Sequence, residues 1–412
     1  MRSPLVPIFF IVAVDVLAFT LIVPLLPFYA EHFGATPREV GYLVSTFALC
    51  QLLAGPVLGD LSDRYGRKPV LALSQLGTFA GFVVLGTANS LAMVFASRIL
   101  DGVTAGNLSV AQAAIVDVTP PEKRAQGFAV IGIAFGMGFL VGPALSAWLA
   151  TIDLRLPIAF AAGLSLLSVV LTVLMLPAKT AVTPAPEGSY RGERAPAPPK
   201  QRRLGLLDWG SYRSYLARPA LASRLAQYVL FSLSFITFTS GLALYAERRF
   251  VTDAGRPYGV REVGFMFAYA GVLGLLLQGG LVGRLVARFG EAAMVRFGFL
   301  LQGVGFAMLA WAHSLPLLIV ASTISSIGNA PLRPALTSLI TRRVSADEQG
   351  LVLGLSQSLN ALAQIVAPLL AGLLIARGSL SAWALSAGAF ALLALAVPTR
   401  DDERAASATA AA

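Results

Sequence analysis

The stretch Gly59-Asp60-Leu61-Ser62-Asp63-Arg64-Tyr65-Gly66-Arg67-Lys68-Pro69 decides the fold. Five of these eleven residues are charged, yet apolar runs of membrane-spanning length flank them on both sides. A hairpin this short, with paired glycines and clustered arginines, reads as a tight cytoplasmic turn between two transmembrane helices. Of the 412 residues, 56% are hydrophobic and only 13% charged, and the mean hydropathy is +0.74. A soluble domain carries about 25% charged residues, so the composition indicates an integral membrane protein. Apolar runs of about 20 residues fit spanning helices, whereas barrel strands are about ten residues long and alternate in polarity.

Outward from the hairpin, the runs place helices at 5–28, 40–61, 69–89, 91–116, 124–150 and 157–177, a first half covering 1–177. The first run is too long for a cleavable signal and holds Asp15, Pro24 and Pro27. Residues 178–218 are rich in proline and basic residues and read as a solvated cytoplasmic linker. An amphipathic piece around Leu204–Leu216 is placed on the membrane surface. The second half, 219–398, holds helices at 219–247, 259–283, 291–312, 315–341, 349–376 and 379–398. The tail 399–412 is polar and alanine-rich and is expected to be disordered. Thr36-Pro37-Arg38-Glu39, Thr119-Pro120-Pro121-Glu122 and Ser345-Ala346-Asp347-Glu348 have the form of capping boxes that open helices.

The halves repeat one another. Arg38-Glu39-Val40-Gly41 returns as Arg261-Glu262-Val263-Gly264, and Gly59, Leu61, Arg64 and Gly66 return as Gly283, Leu285, Arg288 and Gly290. The expected fold is therefore all-α, with twelve transmembrane helices in two pseudo-symmetric six-helix halves. Basic residues set orientation. Arg64, Arg67, Lys68, Lys123, Arg124, the linker, Arg284, Arg288, Arg342 and Arg343 fall on one side, which reads as cytoplasmic and holds both termini. The loop with Arg248, Arg249, Arg256 and Arg261 is an exception on the other side. The net charge of +10 is thus assigned to orientation and not to nucleic acid.

Gly59, Leu61, Asp63, Arg64, Gly66, Arg67 and Lys68 closely resemble the loop between helices 2 and 3 of the major facilitator superfamily. Gly138-x-x-x-Gly142-Pro143 resembles the antiporter motif of its drug:proton exporters, with Ser146-Ala147 where those usually carry a paired glycine. Asp15 with Ile22-Val23-Pro24-Leu25-Leu26-Pro27, Gln51, Pro56, the hairpin, Arg98-Ile99-Leu100-x-Gly102 and Gly106-Asn107 looks like the opening of the tetracycline-resistance exporters. The resemblance implies a major facilitator fold, a monomer, and proton-coupled export of small amphipathic compounds by alternating access. It implies a cell-membrane protein, expected in a bacterial inner membrane. It also places Asp63 against the start of helix 11 and Arg67 beside Asp117, as a gate made with Gly59, Arg64 and Gly66. The tetracycline exporters carry carboxylates in helices 3 and 9. Here helix 3 has Gly81 and helix 9 only Glu291 at its start, which argues against a tetracycline–metal chelate as substrate.

A charge at a helix centre costs roughly 2.5–3.5 kcal/mol on insertion scales, so Asp15, Arg98 and Asp101 are the proton-coupling candidates. Arg98 and Asp101 lie one turn apart and can neutralise each other, so a structural ion pair is an equal reading. Gln51, Asn107, Gln112, Gln227, Phe231, Phe235, Asn329, Arg333, Gln357 and Asn360 are candidates for the cavity lining. No phosphate-binding loop is present, and His32, His313 and the lone Cys50 make no metal site, so neither cofactor nor metal is expected. Two other readings stay open: a facilitator or symporter for an anionic metabolite or lipid-like substrate, and a non-transporting receptor or scaffold built on the linker.

Overall fold

An apolar segment in lipid satisfies its backbone polar groups by coiling into a helix. The computed structural model accordingly builds the chain from helices, and it describes residues 5–119, 124–176, 213, 215–345 and 348–398. The first half contains α1 (Leu5–His32), α2 (Pro37–Tyr65), α3 (Arg67–Gly86), α4 (Leu91–Thr104), α5 (Asn107–Val118), α6 (Arg124–Leu149) and α7 (Leu156–Met175). The second contains α8 (Pro219–Arg249), α9 (Val260–Leu276), a π-helical turn (Leu277–Leu281) and α10 (Val282–Phe289). It continues with α11 (Glu291–Met308), α12 (Leu315–Thr341), α13 (Gln349–Ala376) and α14 (Leu380–Leu393). α4 with α5 forms the fourth of twelve spans, and α9 with α10 the eighth. The linker through residue 212, most of the amphipathic piece, Pro120–Glu122 of the second capping box and the tail lie outside the described residues.

The fourth span departs from the expected single helix. It breaks at Ala105–Gly106, where a side chain on Gly106 would come within 2.8 Å of the Ser74 hydroxyl and 2.9 Å of Leu58. Three helices converge there, and only a bare backbone fits. The sequence repeat is a structural repeat: the Glu39 carboxylate accepts the Thr36 N–H at 2.7 Å, and Glu262 accepts that of Gly259 at 2.9 Å. The two hairpins also match, turning at Gly66 (φ +95°) and Gly290 (φ +80°), conformations that favour glycine.

The repeated glycines join the halves. A Cβ on Gly41 would stand 2.5 Å from the Pro368 carbonyl oxygen of α13, and one on Gly264 2.6 Å from that of Pro143 in α6. Gly271 makes a similar approach to Phe139, and Gly372 to Pro37. These contacts lie toward the side away from the basic loops. On that side one apolar cluster draws on both halves, including Leu25, Tyr29 and Leu43 with Tyr245, Val263 and Trp383. An Arg248–Glu31 ion pair ties α8 to α1 there, with Glu247 also on Arg248 at 2.6 Å.

On the basic side each half keeps its own cluster, around Ile11, Leu71 and Ile115 in one and Leu225, Phe299 and Leu336 in the other. Gly55, Gly132, Gly279, Gly283 and Gly354 have nothing within 4 Å of their Cβ positions. The halves therefore touch on one side and part on the basic side. The expected consequence is measurable as thermal stability. Gly264→Ala should cost about 1–3 kcal/mol by overpacking, whereas Gly354→Ala should be neutral or stabilising by up to about 1 kcal/mol.

Candidate functional site

Asp15 sits in the middle of α1, half-buried, and its Oδ2 accepts a hydrogen bond from Gln75 Nε2 of α3 at 3.1 Å. The next turns of α1 are held by α6. A Cβ on Gly138 would meet Val16 at 2.7 Å, and one on Gly142 would overlap the Thr20 hydroxyl, which donates to the Gly138 carbonyl at 2.9 Å. The Gly138, Gly142 and Pro143 run thus has two uses. Its glycines seat α1 directly after Asp15, and Pro143 receives Gly264 of the other half.

Across α3, Arg98 and Asp101 form a buried ion pair at 3.1 Å on α4. The Arg98 guanidinium lies 6.0 Å from the Phe47 ring and 5.7 Å from Phe82, while its Nη2 has no hydrogen-bond partner. Ion pairing and cation–π attraction together offset the desolvation of this charge. Asp15 and Arg98–Asp101 flank one helix, α3, so the titratable groups of the first half belong to one neighbourhood.

The cavity candidates divide. Gln51, Gln112, Asn329 and Asn360 are half-buried, Gln357 and Arg333 are exposed, and Asn107 and Asn329 each keep a buried side-chain oxygen without a hydrogen bond. Arg333 shares a helix face with Ser322, Ser326 and Asn329, at helical spacing along α12. Among the described residues its side chain has no ion-pair or hydrogen-bond partner. Gln227 and Phe231 do not line the opening. Gln227 is buried, accepts from Arg224 at 2.8 Å and donates to the carbonyl of Ala394, the residue just after α14, at 3.1 Å. Phe231 lies in the core of the second half and stacks on Phe235 at 6.1 Å. Beyond them, a cavity of about 30 Å³ between Phe238, Phe267 and Ser325 has room for little more than a water.

At the hairpin, Arg67 is the hub. It donates to Asp117 at 2.7 Å, to Ser62 at 2.6 Å and to Asp63 at 2.5 Å, while Arg64 pairs with Asp60 at 2.8 Å. Asp63 was expected at the start of the eleventh span. Among the described residues it is held by Arg67 of its own half. The described start of α13 is occupied by Glu348, which takes a two-pronged contact from Arg218 at 2.8 and 3.0 Å. That hydrogen bonding pushes the Glu348 carboxyl from its ordinary 4.5 down to about 2. The contact is therefore complete above about pH 4.5 and is lost only as the pH falls through about 2.

A family model described as Major Facilitator Superfamily matches residues 8–291 and, in a second match, 258–412. The chain belongs to the major facilitator superfamily. Members of this superfamily are transporters and not enzymes. It is 29% identical to the class C tetracycline resistance protein of Escherichia coli, over 93% of this chain and 92% of that protein. It is 30% identical to human major facilitator superfamily domain-containing protein 10, over 90% and 87% of the two chains. The crystal structure of that human protein, described as an organic anion transporter, superposes with a TM-score of 0.68 over 96% of this chain and 99% of that one.

Sequence reading missed Gln75, Ser168 and Thr172 around Asp15, and the Phe47 and Phe82 rings around Arg98. Gln75 is the one amide in the third span, which was the available signal. The buried pair makes a sharp prediction. Asp101→Leu alone strands Arg98 and should cost about 3–5 kcal/mol. The double variant Arg98→Met/Asp101→Leu should recover most of that loss in thermal unfolding.

Proposed function

We propose that this major facilitator protein is a proton-coupled antiporter that exports small amphipathic compounds by alternating access. One observation carries the reading: the antiporter-type glycines of α6 pack on α1 at Val16 and Thr20, immediately beyond Asp15. A movement of the halves about Pro143 is thereby coupled to the helix that carries the carboxylate. Proton binding at Asp15, with Arg98 and Asp101 as neighbours, and substrate binding would exclude one another. The open side would be the cytoplasmic side, with both termini there, in a bacterial inner membrane and as a monomer. The basic loops on that side support this placement.

On this reading the hairpin is a latch between the two halves. When the basic side closes, Asp63 would reach the start of α13, where the helix dipole favours negative charge. Asp63→Asn should then bias the protein toward the open side and lower transport, as measured by accessibility labelling of engineered cysteines. Unchanged inward exposure would count against the latch. The coupling itself is tested in everted membrane vesicles. Ethidium uptake should rise severalfold under an imposed pH gradient, and Asp15→Asn should remove that rise. Uptake that ignored the gradient in the unaltered protein would refute proton coupling.

A second reading is favoured by Arg333, a cation on an otherwise polar, uncharged helix face, together with the likeness to the human organic anion transporter. The substrate would then be an amphipathic anion. Arg333→Gln should abolish carboxyfluorescein transport, while Asp15→Asn leaves it intact.

A further inference from the structure

Asp15 does not stand alone in its half of the protein. Gln75 is fully buried, and every polar atom of its side chain is engaged. Its Nε2 donates to Asp15 Oδ2 at 3.1 Å and to Ser168 Oγ at 2.7 Å. Its Oε1 accepts the Thr172 hydroxyl at 2.8 Å, and its backbone carbonyl accepts the Ser165 hydroxyl at 3.1 Å. Ser168 in turn donates to the Ile11 carbonyl of α1 at 3.4 Å. Ser165, Ser168 and Thr172 stand on one face of α7 at spacings of three and four, so a single helix face grips the amide at several points.

We propose that Gln75 is a positioning residue for Asp15: held by α7, its amide keeps an N–H donor on the carboxylate and so sets when the site takes up a proton. The inference rests on the reading of Asp15 as the proton-binding group. The chemistry is that of an oriented donor. An ionised carboxylate accepts the Gln75 N–H. A turned amide would set Oε1 against a carboxylate oxygen, acceptor against acceptor, so the ionised state selects the orientation observed. Thr172, placed at the Oε1 end, supports the same orientation. A hydrogen bond given to the charged form favours that form, and its removal must make protonation easier.

Other charges near Asp15 are few. Asp101 and its partner Arg98 face it from α4. α7 carries no charged residue, α6 carries only Arg124 at its start, and α5 only Asp117 at its far end. α2, α8 and α9, which also pack on α1, hold theirs near the helix ends. The amide network is therefore the nearest adjustable influence on Asp15.

Infrared difference spectroscopy of the purified full-length protein tests the idea without any transported compound. The carboxyl band absent from Asp15→Asn is titrated with pH. In Gln75→Met, which keeps the length of the side chain and removes the amide, the midpoint should rise by about one pH unit, a tenfold easier protonation. In Thr172→Val, which leaves Gln75 in place, it should rise by less. A purely structural role for Gln75 would lower yield or thermal stability and leave the midpoint where it was. If Gln75→Met fails to fold, Thr172→Val decides the matter. An unmoved midpoint in the folded variants overturns the proposal. Gradient-insensitive ethidium uptake alongside a shifted midpoint would count against proton coupling and leave the network standing.

Discussion

Two backbone contacts hold the architecture together: Gly41 against the Pro368 carbonyl and Gly264 against the Pro143 carbonyl. Each pairs a glycine near the start of a span with a proline in the last third of a span from the other half. A proline cannot donate an N–H, and it distorts the helix around it. A facing glycine lets the backbones approach to a distance that any side chain would forbid. Because the two contacts come from duplicated sequence, they act as a matched pair on either side of the interface. Interhelical contacts of this sort depend on fit, since lipid offers no hydrophobic drive between helices.

The rest of the molecule hangs from that fit. The shared apolar cluster and the Glu31–Arg248 pair close one side. On the other, the first-half and second-half clusters are separate, and Arg67 gathers Asp63, Asp117 and Ser62 at the hairpin. The halves also differ in character. The first buries Asp15, Gln75, Arg98 and Asp101 in polar contacts across α1, α3, α4 and α7. The second is stacked aromatic side chains, Phe231 on Phe235 and Phe238 on Phe306, with Gln227 as a tie to α14.

Much of the fold was legible because membrane physics writes in long strokes. Span lengths, the hairpin and the duplication all follow from runs of about 20 apolar residues and from recurring short patterns. The Arg67–Asp117 contact and the Thr36–Glu39 box were equally readable, being local or tied to one motif. The break at Ala105–Gly106 was not, since it depends on Ser74 and Leu58 arriving from other helices. Gln227 and Phe231 misled for a related reason: helical spacing places residues on a face but does not say what the face meets. The partner of Asp15 was missed because its grip comes from serines and a threonine of α7, residues that look like ordinary helix filler in lipid.

The uncovered glycines carry one more consequence. Gly55, Gly132, Gly279, Gly283 and Gly354 have empty space where a side chain would be, and each costs its helix about 1 kcal/mol of intrinsic preference relative to alanine. In the arrangement seen here that cost brings no contact in return. Gly41, Gly264, Gly271 and Gly372, which are covered, show what such a residue does when a neighbour arrives. At the bare positions an alanine would add helix preference without meeting a neighbour in this arrangement.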